Sequence, residues 1–252
     1  MANDPHSGQS AATGGTAHAL VTGASRGLGL AFATQLLAAG AEVTLAVRDF
    51  GSAQAAEALA AAHPRQSRVI RVDYSDHSSL PACLAGSGLR RLDLLINCGS
   101  ANIAHGQPEV ASKGPLQELE STALVQLFEV NVAGPVALCR AVLPLLVAAQ
   151  GLVANISTSR ASISMTDRPG SFSYAVSKAA LNMATRKLAA ELGPSGVTVV
   201  AVDPGWIRTR MGGERAPRLP EEAAHQVLQV LLRPNRPLSG CFVDAEGNDV
   251  PW

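Results

Sequence analysis

The chain has 252 residues, 47% of them hydrophobic, and its 20 basic residues balance 20 acidic ones to a net charge of zero. So much apolar content supports a sizeable core and excludes a globally disordered chain. The absence of any charge excess argues against nucleic acid or an anionic membrane surface as the main partner.

Residues 1–16, small, polar and rich in glycine, are predicted to be a leader without structure. From residue 17 strands and helices alternate. An apolar strand spans residues 17–23, and a helix spans residues 27–40 and stops at Gly40. Strand two is 41–47, and the helix over 52–63 ends before Pro64. Strands follow at 67–73 and 92–97, then a long helical region over 115–149, a strand at 151–157 and a helix over 171–193. A strand at 196–205, an amphipathic helix after Pro220 and a short strand at 241–243 complete the chain. The strands are continuous apolar runs rather than alternating ones, so both faces of their sheet are covered. Such alternation predicts one α/β domain over 17–252, a doubly wound (Rossmann-type) parallel sheet of about seven strands with helices on both faces.

The four cysteines, Cys83, Cys98, Cys139 and Cys241, form no CxxC pair, and the histidines show no ligand spacing. Reduced core thiols and no metal are expected. No uninterrupted apolar run reaches 18 residues, and no secretory pattern opens the chain. We therefore expect no membrane partner and a cytoplasmic location.

Strand one runs into Thr22-Gly23-Ala24-Ser25-Arg26-Gly27-Leu28-Gly29, which opens a helix. Glycines there permit a tight turn and close approach of a ligand, and the helix N-terminus offers free N–H groups to a diphosphate. An acid at the end of strand two would read a ribose 2′-hydroxyl, whereas arginine accommodates a 2′-phosphate. Val47 stands at that position, with Arg48 next to it and Arg26 as a second cation, so NADP(H) is favoured over NAD(H). Asp49 leaves a one-residue shift of register open.

Tyr174 and Lys178 are four apart in a helix and share one face. A nearby ammonium favours a phenolate and brings the phenol toward the working pH. These features appear in one order: the glycine turn, Asn97 after strand four, Asn131, the hydroxyl run after strand five, Tyr174 and Lys178, and Pro204-Gly205-Trp206. In that combination residues 17–252 resemble the short-chain dehydrogenase/reductase family. "SRASIS", "PGWIRTRMGG" and the ending "FVDAEGNDVPW" are most similar to its C-factor and sniffer-type carbonyl reductase group.

The resemblance implies an NADP-dependent oxidoreductase that reduces a ketone or aldehyde to an alcohol, or the reverse. Tyr174 would be the general acid/base. Lys178 would lower its pKa and bind the nicotinamide ribose, and Asn131 would anchor a relay water. Cofactor contacts would come from Gly23, Ser25, Arg26, Gly27, Leu28, Gly29, Arg48, Asp73, Tyr74, Asn97, Cys98, Gly99, Tyr174, Lys178, Pro204, Gly205, Ile207 and Thr209. The substrate would be a small carbonyl compound or alcohol, and the assembly a homodimer or homotetramer through the long helices. Leu124, Leu127, Phe128, Val130 and Leu138 suit a core or an interface equally. Pro135 has no N–H, so the carbonyl of Asn131 loses its helical partner and a bend is expected there.

The family's catalytic serine lies second in Asn-x-Ser-Ser-x-x-Gly. Aligned from Asn155 without gaps, that position is Thr158 and the glycine is Ala161; one residue of slack selects Ser159. Thr158 is favoured over Ser159, and turn chemistry with no placed hydroxyl is the remaining reading. The family's Asn-Asn-Ala-Gly reads Asn97-Cys98-Gly99-Ser100. These departures motivate an alternative, a cofactor-binding member with a non-redox biosynthetic or signalling role. Residues 206–220 form a candidate lid, whose Arg208, Arg210 and Arg215 are either solvated or attract an acidic substrate.

Overall fold

In the computed structural model, which describes residues 16–167 and 169–252, the apolar runs pair as strands of one sheet. The leader expected at 1–16 lies outside the described residues except for its last position. The strands are β1 (His18–Thr22), β2 (Glu42–Val47), β3 (Ser67–Arg71), β4 (Leu94–Asn97), β5 (Leu152–Ile156), β6 (Thr198–Asp203) and β7 (Phe242–Asp244). All neighbours are parallel, in the order β3-β2-β1-β4-β5-β6-β7. The order reverses between β1 and β4, and a ligand crevice opens at such a switch point, beyond the carboxyl ends of the strands.

Helices α1 (Gly27–Ala38), α2 (Gln54–Ala62) and α8 (Pro220–Leu232) cover one face. Helices α3 (Leu80–Ala85), α6 (Gly134–Ala149) and α7 (Phe172–Leu192) cover the other. Successive strand residues point to opposite faces, so Val21 meets Phe32 and Leu36 on the first side, and Leu20 meets Leu138 and Val142 on the second. This is the physical reason for the unbroken apolar runs. Each such Leu or Phe contributes roughly 1.5–3 kcal/mol on burial.

Two short helices lie where no helix was predicted: α3, and α4 (Val110–Lys113). At six and four residues, neither is long enough to display a helical period. The region expected as one helix over 115–149 begins with a 3₁₀ turn, Leu116–Glu118, and continues as α5 (Ser121–Phe128). A π-helical turn, Glu129–Ala133, then leads into α6. There the Gly134 N–H reaches back five residues to the Glu129 carbonyl. The bend expected from Pro135 is thus absorbed as a π-turn, a frequent accompaniment of functional sites. The continuous stretch Ser121–Ala149 is long and apolar enough to cross a bilayer by length and composition. Glu129 and Arg140 interrupt it, and Leu127, Leu138, Val142 and Leu146 are buried among the other elements, so it packs as a core helix.

The π-turn brings Gly134 directly under the Tyr74 ring, and a Cβ at Gly134 would overlap the Tyr74 Cβ and Cγ. Gly134→Ala is therefore expected to overpack this contact and lower stability by about 1–3 kcal/mol. Urea denaturation checks this, and an unchanged midpoint would show that the ring yields freely.

Candidate active site

The turn after β1 is shaped by its glycines. Gly23 and Gly27 take left-handed conformations (φ +65 and +53), and a Cβ on Gly29 would collide with the Gly23 carbonyl. Helix α1 starts after Arg26, which is extended and supplies no side-chain cap, and its first turn carries no acid. Its leading N–H groups are left for an anion, as a diphosphate site requires. Ser25 is half-buried in the turn, Leu28 is buried beneath it, and Arg26 is exposed.

At the end of β2, Val47 is 1% exposed and belongs to the core, so no acid reads this corner. Arg48 is exposed, with its Nε 3.7 Å from Asp49. Asp49 caps its own 3₁₀ turn, accepting the Ser52 N–H at 2.9 Å and the Ser52 hydroxyl at 3.0 Å. Those bonds, above all the hydroxyl, hold its carboxyl below the usual range. Strand β2 thus ends at Val47, with Arg48 next and Asp49 engaged in its own turn.

Asp73 follows β3 and accepts from Arg71 at 3.2 Å and the Ser75 hydroxyl at 2.7 Å. The side chain of Tyr74, expected among the cofactor contacts, instead turns inward at 7% exposure. Its hydroxyl meets Asn97 Oδ1 at 2.7 Å and Thr22 Oγ1 at 2.9 Å, and burial pushes the phenol far up. Tyr74 therefore supports the turn after β4 from behind, because Gly99 and Gly134 leave room for its ring. In that turn the N–H groups of Cys98 and Gly99 both donate to Thr22 Oγ1 at 3.0 Å. Burial pushes the Cys98 thiol up to about 12.

Tyr174 and Lys178 project from α7 toward this turn. Lys178 Nζ donates to the Ile156 carbonyl at 2.8 Å and lies 5.9 Å from the centre of the Tyr174 ring. Burial lowers the ammonium to about 8, with Cys98 opposing, so the group is cationic below about pH 8. Tyr174 departs from expectation: burial pushes its phenol up, Asp203 and Cys98 add to this, and Arg160 and Ser100 oppose it. The phenol thus keeps its proton at neutral pH, the form a proton donor needs. Asn131, 0% exposed in the π-turn, accepts from the Ala101 N–H at 2.8 Å and the Ser100 hydroxyl at 3.1 Å. It donates to the Ala101 carbonyl at 2.7 Å and Ser177 Oγ at 2.9 Å. Its side chain therefore fastens the β4 turn to α7.

Thr158 and Ser159 open a 3₁₀ turn after β5, with Thr158 as its cap. Thr158 Oγ1 accepts the Arg160 N–H at a long 3.3 Å, which leaves its own O–H to donate elsewhere. Asp203, at the end of β6, binds the Ser159 N–H at 2.8 Å and the Gly205 N–H at 2.9 Å. Pro204 and Ile207 are buried, and Thr209 stands against the glycine turn, its methyl 3.2 Å from where a Gly27 Cβ would lie. The following segment closes on itself: Ile207 pairs with Arg218, and Trp206 Nε1 donates to the Gly212 carbonyl at 2.8 Å. Arg208 Nε donates to the Ala216 carbonyl at 3.0 Å, which engages that arginine within the segment.

Sequence reasoning missed Asp203, Ser100, Ser177 and Arg160. An acid ending an otherwise apolar strand just before Pro204-Gly205 was the one signal available for Asp203. The other three acquire their places only through packing.

The short chain dehydrogenase family model matches residues 17–219. C-signal of Myxococcus xanthus is 34% identical over 138 residues, covering 54% of this chain and 83% of that protein. The 2-(R)-hydroxypropyl-CoM dehydrogenase of Xanthobacter autotrophicus is 33% identical over 200 residues, 77% of this chain and 75% of its own. Among solved structures, the carbonyl reductase Sniffer of D. melanogaster superposes with a TM-score of 0.86 at 26% identity, covering 94% of this chain and all (100%) of that one. The NADPH-bound carbonyl reductase from chicken fatty liver gives 0.83 at 30% identity, covering 94% and 99%.

Asp203 joins the turns after β5 and β6 through two charge-assisted bonds. Asp203→Ala is expected to leave both N–H groups without this acceptor and to cost about 2–4 kcal/mol. Chemical denaturation checks it; a midpoint equal to the parent's would mean that other acceptors serve these amides.

Proposed function

The chain belongs to the short-chain dehydrogenase family, and on that premise we propose that it is an NADPH-dependent carbonyl reductase. It reduces a ketone or aldehyde to the alcohol, or runs the reverse oxidation, on a small-molecule substrate. The observation that carries this is the gathering of Tyr174, Lys178 and Asn131 beside the hydroxyl turn after β5.

The residues present fit the cofactor. The uncapped N-terminus of α1 and the turn of Gly23, Ser25, Gly27, Leu28 and Gly29 suit the diphosphate. Arg48 and Arg26 suit the 2′-phosphate, since Val47 is buried and Asp49 is engaged by Ser52. Asp73 would border the adenine, the main chain at Asn97, Cys98 and Gly99 the central part, and Pro204, Gly205, Ile207 and Thr209 the nicotinamide end. When bound, NADPH supplies a hydride. Thr158 donates its O–H to the substrate carbonyl oxygen, with Ser159 held by its amide rather than its hydroxyl. Tyr174 gives its proton to the same oxygen. Lys178 contributes a cation beside this oxygen below about pH 8. Asn131 holds the Ser100–Ala101 turn against α7.

Residues 17–252 act as one domain, with 206–220, which carries the exposed Trp206, as its lid. Exposed Val125 and Phe128 on α5, with Val176 and Met183 on α7, support a homodimer or homotetramer. Leu127 and Leu138 are buried in the core and are unavailable to it. Four free thiols suit the reducing cytoplasm. The similarity to C-signal favours a second function, a cofactor-bound protein with a signalling or other non-redox role.

NADPH oxidation against a panel of aldehydes and ketones distinguishes the two. Turnover is expected, and Tyr174→Phe should lower kcat by about 10²-fold or more. NADPH binding without turnover of any carbonyl would leave the non-redox role. The ratio of kcat/KM for NADPH to that for NADH is expected to exceed one and to fall about tenfold or more in Arg48→Ala. A parent enzyme that prefers NADH would refute the assignment of Arg48.

A further inference from the structure

The chain leaves β5 through Thr158 and the 3₁₀ turn Ser159–Ala161, and it enters α7 at Phe172. The near end of this loop is fixed: Asp203 holds the Ser159 N–H, and Ala161 and Ser162 are buried. Its middle is not held by burial, since Ile163 is 80% exposed and Met165 51%. Ser164, between them, is bonded instead to Trp252, 88 positions further on. The Ser164 N–H donates to the Trp252 carbonyl oxygen at 3.0 Å, and the Ser164 hydroxyl donates to the same oxygen at 2.7 Å. Short bonds carry this pin back to Thr158. The Met165 N–H donates to Ser162 Oγ at 3.2 Å, and the Thr166 hydroxyl donates to the Ser162 carbonyl at 2.6 Å. The Ser162 and Ala161 N–H groups then donate to the Ser159 and Thr158 carbonyls at 3.0 and 2.9 Å.

Trp252 can act as a fixed post because two rigid elements grip its ring. From β7, the ring of Phe242, itself 1% exposed, lies 5.4 Å away between centroids. From α7, the Arg186 guanidinium lies 5.6 Å from the centre of the ring, and the same side chain donates to the Gly240 carbonyl at 2.8 Å. The approach to Trp252 is held as well. Asp244 turns the chain after β7 by accepting the Glu246 and Asn248 N–H groups at 2.9 and 2.8 Å. The Val250 N–H donates to the Phe242 carbonyl at 2.8 Å, and Pro251 restricts the backbone before Trp252. We propose that Trp252 is a positioning residue for the substrate side of the site: its gripped ring sets the carbonyl on which Ser164 docks, and that dock holds the loop that presents Thr158.

The proposal rests on Thr158 donating to the substrate oxygen in the reductase described above. Trp252 takes no part in proton or hydride transfer. Asp203 fixes one N–H of the loop, which leaves the exposed part beyond Ser162 free to swing about that point unless a second anchor holds it. A loop with both anchors keeps the Thr158 O–H at the substrate oxygen, and ordering of this kind raises the rate by geometry alone. The effect is confined to the substrate side. Phe242 lies in β7, at one edge of the sheet, whereas Arg48 follows β2, near the opposite edge.

The test uses the full chain with NADPH and the carbonyl that the parent reduces fastest, and compares the parent with Trp252→Ala, Trp252→Phe and Ser164→Ala. Trp252→Ala should lower kcat/KM for the carbonyl about tenfold. KM for NADPH should change by less than about twofold. Trp252→Phe keeps an aromatic ring for Phe242 and Arg186 and should restore most of the loss. Ser164→Ala removes one of the two bonds to Trp252 at an exposed position, so it should fold even where Trp252→Ala does not. Its kcat/KM should fall about threefold. Trypsin supplies a readout without turnover, because Arg160 is exposed and cutting there requires the loop to open. Trp252→Ala and Ser164→Ala should be cut after Arg160 about fivefold faster than the parent, and Trp252→Phe at the parent's rate. Faster cutting in a chain that reduces no carbonyl would uphold the brace while removing the reductase. Parental kcat/KM in both alanine variants of an active chain would overturn the proposal, as would equal losses in Trp252→Phe and Trp252→Ala.

Discussion

Thr22 ends β1 with a buried hydroxyl that receives the N–H groups of both Cys98 and Gly99. With both lone pairs taken, its proton must go outward. Tyr74 has one proton too, and Asn97 Oδ1, 2.7 Å away, can only accept it. The Tyr74 hydroxyl also lies 2.9 Å from Thr22 Oγ1, and the Thr22 O–H donates to the Ile96 carbonyl at 3.3 Å. From Asn97 the chain continues in the same sense, through Nδ2 to Asn155 Oδ1 at 2.8 Å and from Asn155 Nδ2 to Thr185 at 2.9 Å. Thr185 closes it on the Leu181 carbonyl. One line of hydrogen bonds thus crosses β1, β4 and β5 and ends on α7, the helix of Tyr174 and Lys178. Every member is buried, so losing one leaves its neighbours unpaired at about 1–3 kcal/mol each.

This line fixes the geometry of the site because the groups that would touch cofactor or substrate hang from its members. The turn at Cys98 to Ser100 follows from Thr22, and the position of α7 follows from Asn155. Asn131 and Asp203 perform the same task from the two flanks, each fastening one turn to a neighbouring element. The reacting side chains then sit on rigid supports, which is how a phenol raised by burial and an ammonium lowered by it are held at a defined separation.

Strands, large helices and the glycine turn were legible because each is written in contiguous residues. Val47 and Arg48 at the end of β2 were legible for the same reason. The π-turn was half legible: Pro135 announced a missing N–H, while the extra residue that absorbs it depends on how α5 and α6 both reach the core. The inward turn of the Tyr74 side chain was not legible because its neighbours in sequence say nothing of Gly134, sixty residues away, whose missing side chain makes room for the ring. The spacing of Tyr174 and Lys178 likewise says nothing of the burial that raises the phenol. Four residues on a helix guarantee a shared face, but the Ile156 carbonyl decides where the ammonium points.

The sequence by itself determined the doubly wound parallel sheet, the glycine turn after β1, the arginine after β2 and the tyrosine and lysine that share one face of α7. Periodicity and local motifs encode these through contacts close in the chain. Only the tertiary structure decided that Asp203 clamps two turns, that Tyr74 is a buried strut, that Thr158 caps a 3₁₀ turn, and that Ser100 donates to Asn131. Each of those outcomes rests on hydrogen bonds between residues 23 to 52 positions apart or on a local turn whose partners packing selects, and no local pattern specifies such partners.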